Sequence, residues 1–273
     1  MVAIYTDHFR TSPISLNGRR EIVRQFSSPD NLKSRINGHD QLCTNLEGWF
    51  PWVQKHIGLK GGESIFEIGT GTGDLWSKNN LNMDVNLIVS DKFLPMVLGT
   101  SAALSSPGVQ IDAQHPLPFS ENTFDIVVAD HMLYLMKDIP HTLKEINRIL
   151  KPGGRLIAST SGTHHLEDMH KLILGPEATT PMRPFSLENG GHILSNVFPN
   201  VIMNEYPDSW LIDTPEKANI FVRYAKSVSM PALPDIKQRM ADFEEYVSAT
   251  ISRGESITIP KHSGLFIAKK QCK

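Results

Sequence analysis

The sequence predicts an α/β fold built on a doubly wound sheet, and three observations carry that prediction. From Gly61 onward, short β-branched runs bounded by Gly, Asn or Asp alternate with helical stretches. A glycine-rich turn joins the first run to the first helix, and an acidic residue closes the second and third runs. Alternation of this kind builds a parallel sheet with helices on both faces. The runs are Ser64–Gly69, Asn86–Asp91, Val109–Asp112, Phe124–Ala129 and Arg155–Ser159, each short enough to be a buried strand. Helices are expected near 73–80, 92–104 and 139–150. The last is apolar at Ile139, Leu143, Ile146 and Leu150, close to a 3.6-residue period, and stops at Lys151-Pro-Gly-Gly154.

The flanks are less regular. Residues 1–59 are helix-leaning but interrupted by Pro13, Pro29 and Pro51, which predicts an N-terminal helical arm or lid. Residues 163–199 read as an irregular insertion with one or two helices, and a strand follows at Val201–Tyr206. A mostly helical stretch from Thr214 to about Ser252 is broken by Pro231 and Pro234, and two strand-like runs close the chain, Ser256–Ile259 and Gly264–Ala268. The expected organisation is the arm over 1–59 and one domain over 60–273, with insertions at about 163–199 and 213–255. At roughly 150 residues per domain, 273 residues is just under two domains. The excess over one sheet is covering structure.

Composition narrows the function classes. With 40% hydrophobic and 21% charged residues the chain is ordinary globular protein. A formal net charge of -2 offers no basic excess for a phosphate backbone, so no nucleic-acid partner is expected. Cys43 and Cys272 lie near opposite ends, which excludes a disulfide scaffold and a cysteine-based zinc site. The N-terminal residues show no basic region followed by an apolar core, and no apolar run approaches the roughly 18 residues of a membrane span. The expectation is a cytoplasmic protein without a membrane partner.

The segment Ile65-Phe-Glu-Ile-Gly-Thr-Gly-Thr-Gly-Asp74 is the most informative. Gly69, Gly71 and Gly73 permit a tight turn and let a ligand lie against the backbone. A dinucleotide fold would place its third glycine where Asp74 stands, and Glu67 and Asp74 would repel a pyrophosphate. A ligand with an amino group or a sulfonium would tolerate both acids. Asp91, at the end of the second run, can accept hydrogen bonds from two ribose hydroxyls, and Asp112, at the end of the third, from an exocyclic amine. All three run ends would face one crevice at the carboxyl edge of the sheet.

Together Glu67-x-Gly69-x-Gly71-x-Gly73, Asp91, Asp112-Ala113, Leu117-Pro-Phe119, Phe124-Asp125 and Leu150-Lys-Pro-Gly-Gly154 resemble a class I S-adenosylmethionine-dependent methyltransferase, over roughly 60–162. The resemblance implies a Rossmann-like seven-stranded sheet with an antiparallel C-terminal hairpin, here carrying helical cap insertions. It implies S-adenosyl-L-methionine as cofactor. The Gly69–Gly73 loop, with Thr70, would lie against its methionine part, Asp91 at the ribose and Asp112 with Ala113 at the adenine, and Glu67 and Lys92 would also belong to the cofactor site. A narrower likeness, to a bacterial branch acting on small molecules, rests on Arg35-x3-His39, Thr44-Asn45, Gly48-Trp49, Trp52-Val53, His131-Met-Leu-Tyr134, Ser186-Leu-Glu-Asn-Gly190 and Gly264-Leu-Phe-Ile-Ala-Lys269. That branch often has Asn where this chain has Asp130.

Methyl transfer needs an aligned nucleophile, and a general base only when the acceptor must lose a proton. Candidates lie where the fourth and fifth runs open on the crevice. His131 is the candidate base, Tyr134 can orient the acceptor or pack, and Asp130 can attract a cationic acceptor or touch the cofactor. Arg35 can pair with the cofactor carboxylate. Trp49 and Trp52 can wall the acceptor or fill the core. His164, His165 and His170 lack a carboxylate-rich ligand set, so no metal is expected. The expected function is methyl transfer to an enclosed small molecule at an unspecified O, N, S or C atom, by a monomer or homodimer. The alternatives are transfer or cyclisation of the aminocarboxypropyl group, and a non-catalytic cofactor-binding module.

Overall fold

The computed structural model describes residues 29–78, 84–180, 182–228 and 233–272. Two helices, α1 (Pro29–Leu42) and α2 (Trp49–Ile57), precede the sheet. The alternating part runs β1 (Ser64–Ile68), α3 (Asp74–Ser77), β2 (Asn86–Asp91), α4 (Leu94–Leu104), β3 (Gly108–Gln110), β4 (Phe124–Ala129), α5 (Ile139–Ile149) and β5 (Leu150–Ser161). Then come α6 (Glu167–Leu174), α7 (Leu187–Ser195), β6 (Asn200–Tyr206), β7 (Ser209–Ile212), α8 (Pro215–Ser227), α9 (Ile236–Ser252), β8 (Ile257–Pro260) and β9 (Ser263–Lys269). Pro13, Pro181 and Pro231 lie outside the described residues.

Seven strands form one sheet in the order β3-β2-β1-β4-β5-β9-β6. Strands β1 to β5 are parallel, while β9 runs antiparallel to both β5 and β6. The chain winds outward from β1 to β3 and then returns to β4, so the crevice opens at the carboxyl ends of β1 and β4, the topological switch point.

Alternation along each strand feeds two cores. Phe66, Val127 and Leu156 join Leu143, Ile146, Phe185 and Phe266 on one face. Ile65, Val89 and Ile126 meet Trp52, Val53 and Trp76 on the other. A third core lies off the sheet, where Trp210, Phe221, Tyr224, Phe243 and Ile259 pack with Leu42 of α1. That core is made by α1, α6, α8, α9 and the strand pair β7–β8, and it is the helical cap.

Three details differ from expectation. β5 begins at Leu150, so Lys151–Gly154 lies within the strand as a bulge: pairing steps from Phe124–Leu150 to Ile126–Arg155. A Cβ on Gly154 would sit 2.9 Å from Lys151 O and 3.0 Å from Asp125 O, which is why the bulge carries glycine there. β7 escaped notice because its apolar run, Trp210-Leu-Ile212, is so short. The two C-terminal runs part company, β8 pairing with β7 and β9 entering the main sheet between β5 and β6. No described helix is long and apolar enough to cross a membrane.

Candidate active site

The glycine loop leaves β1 with φ of 75°, 54° and 77° at Gly69, Gly71 and Gly73, the left-handed region that side chains other than glycine rarely enter. The amides of Gly69 and Thr70 both donate to Ser90 O, at 2.9 and 2.8 Å, which stitches the loop to β2. Space is as tight as conformation. A Cβ on Gly71 would meet Leu32 Cδ2 of α1 at 2.8 Å, so α1 lies directly over the loop.

Beneath the loop sits Glu67, 1% exposed. Its Oε2 accepts from Thr70 Oγ1 at 2.6 Å and from Trp76 Nε1 at 2.7 Å. This corrects two expectations. The side chain of Glu67 is sealed under the loop as a brace, where the sequence had placed it against a ligand. Burial also pushes its carboxyl up to about 7, against the pull of the bonds from Thr70 and Trp76, so it carries only part of a charge near neutrality. Thr70 belongs to the same brace.

Asp91 closes β2 with its carboxylate facing the loop. Oδ2 accepts from the amide of Gly71 at 3.0 Å and Oδ1 from that of Phe93 at 2.9 Å. Each oxygen keeps a second lone pair, enough for two hydroxyls. Burial raises its pKa, opposed by those backbone bonds. Asp112, two residues past β3, accepts from Gln114 through Oδ1 and holds Lys92 Nζ at 2.7 Å from Oδ2. Lys92 therefore lies over the Asp112 carboxylate. Ala113 is buried, and its carbonyl accepts from Thr142 Oγ1 at 3.2 Å.

Past β4 the chain turns at His131, whose φ is 50°. The turn is held by Ser159, two residues before the end of β5: the His131 amide donates to Ser159 Oγ at 2.8 Å, and Ser159 donates to Asp130 Oδ1 in a short bond. The imidazole of His131 lies 5.0 Å from the Trp49 ring and 6.4 Å from Tyr134. Burial brings its pKa down to about 4; Asp130 pulls it upward and the charges of Arg183, Lys261 and Arg35 push it further down. The Arg183 guanidinium stacks on Tyr134 at 4.6 Å.

The N-terminal helices complete the crevice. Arg35 shares a face of α1 with Leu32, one turn on, and its charge reaches His131 and His39. Trp52 is core, 6% exposed, whereas Trp49 is half-buried against His131. His39 bonds Tyr224 Oη at 3.0 Å and stacks on His165 at 6.2 Å, and His165 meets Ser263 Oγ at 3.0 Å. His164 pairs with Glu167, and His170 contacts Thr180. These three histidines thus take different partners, and among the described residues no group of three or more His, Cys, Asp or Glu is placed to hold a metal.

Sequence reasoning missed Ser159, Arg183 and the pair Asp208–Lys261. Ser159 had a usable signal, a polar residue near the end of the strand next to β4. Arg183 had none, because the insertion that carries it shows no periodicity. The residues fit an adenosine-bearing amino acid: bare glycine backbone stands beside two carboxylates at neighbouring strand ends, one with spare lone pairs and one under a displaceable lysine.

Residues 66–158 match the methyltransferase domain family. This segment is a class I methyltransferase domain. The chain is 30% identical over 158 residues to a demethylmenaquinone methyltransferase of Symbiobacterium thermophilum, covering 53% of this chain and 61% of that protein. It is 33% identical over 163 residues to a ubiquinone/menaquinone biosynthesis C-methyltransferase of Haemophilus ducreyi, covering 56% and 62%. The match therefore spans about six tenths of these relatives' length. The fold is shared with phosphoethanolamine N-methyltransferase 2 of Haemonchus contortus, solved with S-adenosyl-L-methionine, at a TM-score of 0.58 and 16% identity over 93% of this chain and 60% of that one.

Proposed function

We propose that this chain is an S-adenosylmethionine-dependent methyltransferase acting on a small molecule enclosed between the sheet edge and the helical cap. The observation that carries the reading is the alignment of the glycine loop, Asp91 and Asp112 along one sheet edge, with His131 at the neighbouring strand end. When bound, the cofactor supplies an electrophilic methyl carbon on a sulfonium. The chain's residues hold and orient. Gly69–Gly73 takes the amino-acid part with Arg35 near its carboxylate, Asp91 takes the ribose, and Asp112 takes the adenine once Lys92 swings aside. Asp130, fixed by Ser159, sets the His131 turn, and α1 excludes water from the loop. His131 is neutral near pH 7 and free to accept a proton from an acceptor that must lose one, and Tyr134 orients that acceptor. The reading extends to a cytoplasmic protein, monomeric or homodimeric, without nucleic acid, and the net charge of -2 supports the last point.

Calorimetry with S-adenosylhomocysteine tests the pocket. Asp91→Ala, which removes a charge-assisted bond, and Gly71→Arg, which forces a side chain into the space that Leu32 and the ligand occupy, should each weaken binding by about tenfold or more. Unchanged affinity in both variants refutes the assignment. With a turnover assay in hand, release of S-adenosylhomocysteine supports methyl transfer and release of methylthioadenosine supports aminocarboxypropyl transfer.

A further inference from the structure

Buried polar groups nearly always find partners, so those that do not are informative. Beside His131 the unpartnered groups are an indole donor and a phenol. Trp49 Nε1, Tyr206 Oη and Trp210 Nε1 are all buried without a hydrogen-bond partner among the described residues. Two of them, Trp49 and Tyr206, lie together beside His131, while Trp210 belongs to the cap core. The Trp49 ring lies 5.3 Å from Tyr206 and 5.0 Å from His131, and Trp210 lies 4.8 Å from His39. An indole N–H can only donate, so the missing partner is an acceptor.

The charges nearby have the complementary sign. Arg183 stands over Tyr134, and its positive charge reaches His131, His165 and His170; it has no acidic partner among the described residues. The acids of the region are committed elsewhere. Asp130 is bonded to Ser159, and Asp208 to Lys261 Nζ at 2.5 Å and to the amides of Thr44 and Asn45. What remains is one stacked guanidinium, neutral imidazoles able to donate, and indole and phenol donors lacking acceptors. A cationic acceptor would find here only Asp130, one of whose oxygens Ser159 already engages.

We propose that the acceptor of this site carries a carboxylate, held by Arg183 with Trp49 Nε1 as the neutral donor beside it. The inference rests on the methyltransferase reading and narrows its substrate class. It competes with the sequence-based idea that Asp130 attracts a cationic acceptor, since one Asp130 oxygen is engaged by Ser159.

The test is calorimetry on the full chain saturated with S-adenosylhomocysteine. The probes are hydroxy-substituted aliphatic and aromatic carboxylic acids, such as 4-hydroxybenzoate, each paired with its neutral amide. At least one acid should bind roughly tenfold or more tightly than its amide. Arg183→Gln should abolish that preference, Arg183→Lys should restore part of it, and Trp49→Phe should weaken the acid several-fold, all with S-adenosylhomocysteine affinity unchanged. A merely structural Arg183 would alter stability without touching the acid-over-amide ratio. Amides binding as well as acids, a preference that survives Arg183→Gln, or no acid binding to protein that does bind S-adenosylhomocysteine would each overturn the carboxylate. Failure to bind S-adenosylhomocysteine would overturn the cofactor reading beneath it.

Discussion

Glu67 is the residue whose chemistry is least like its neighbours'. Its folded-state pKa of about 7 lies above the unfolded value, so the native state holds its proton where the unfolded chain has lost it. Stability from this group is full below about pH 4.5 and is lost as pH rises through about 7. Glu67→Gln keeps an acceptor for Thr70 and Trp76 but cannot ionise. Urea titrations should show the wild type losing up to about 3 kcal/mol relative to this variant between pH 4.5 and 7.5; parallel curves would exclude a buried, raised carboxyl. His131 titrates with the opposite sign. Its pKa of about 4 lies below the unfolded value, so its contribution is present above about pH 6.5 and is lost as pH falls through 4. As the base, it should give kcat/KM an acid limb near pH 4, and His131→Ala should keep S-adenosylhomocysteine binding while losing turnover by about 100-fold. Full turnover in that variant would leave His131 a structural turn residue. The glycines and strand-end acids were legible because backbone chemistry and spacing are local. The brace role of Glu67 was not, since it depends on Trp76 folding back beneath the loop.

At the scale of elements, close approach decides which residues are irreplaceable. Helix α7 crosses β9 at Gly190, where a Cβ would come within 2.6 Å of Phe266 Cε2 and 3.0 Å of its Cζ. Gly190→Ala would gain helix propensity in isolation, by about 1 kcal/mol. The clash with a ring buried between α7 and the sheet is larger, and chemical denaturation should show a net loss of about 1–3 kcal/mol. A neutral or stabilising effect would mean that Phe266 swings clear at little cost. The parallel strands read clearly from sequence because they are short, apolar and punctuated. β7 and the fate of β8 did not, because partner choice between four-residue strands is decided by the tertiary packing of Trp210 and Ile259 and not by their own pattern.

The whole molecule is a sheet with two cores and a cap with a third, and the cap's joint to the sheet is electrostatic. Lys261, on the turn between β8 and β9, and Asp208, before β7, form an ion pair with side chains 5% and 0% exposed. Lys261→Met leaves the Asp208 carboxylate buried with only the amides of Thr44, Asn45 and Ser209 and the Thr44 hydroxyl. Such one-sided loss costs about 3–5 kcal/mol, and the denaturation midpoint should fall accordingly; a loss under 1 kcal/mol would show that those donors satisfy the charge alone. The sequence announced that excess chain covered the sheet. It could not announce that the cover has its own aromatic core, because Trp210, Phe221 and Phe243 come from three separate segments.

The anchoring of α1 sets how the crevice opens. Its C-terminal end is pinned: the Thr44 amide donates to Ser209 O at 2.9 Å, and both Thr44 and Asn45 bond Asp208. Leu32, which covers Gly71, lies near the other end, about 17 Å from that pivot at 1.5 Å per residue. Between these ends Asp40 pairs with Lys78 and His39 bonds Tyr224, so α1 spans from the cap to the glycine loop. A tilt of only about 15° lifts the tip by about 4 Å, roughly the thickness of an adenine ring with its contact shell. Leu42 and His39 of the same helix pack in the cap against Trp210 and Tyr224, so lifting the tip from the loop works against the cap core, and cover and cap are mechanically coupled.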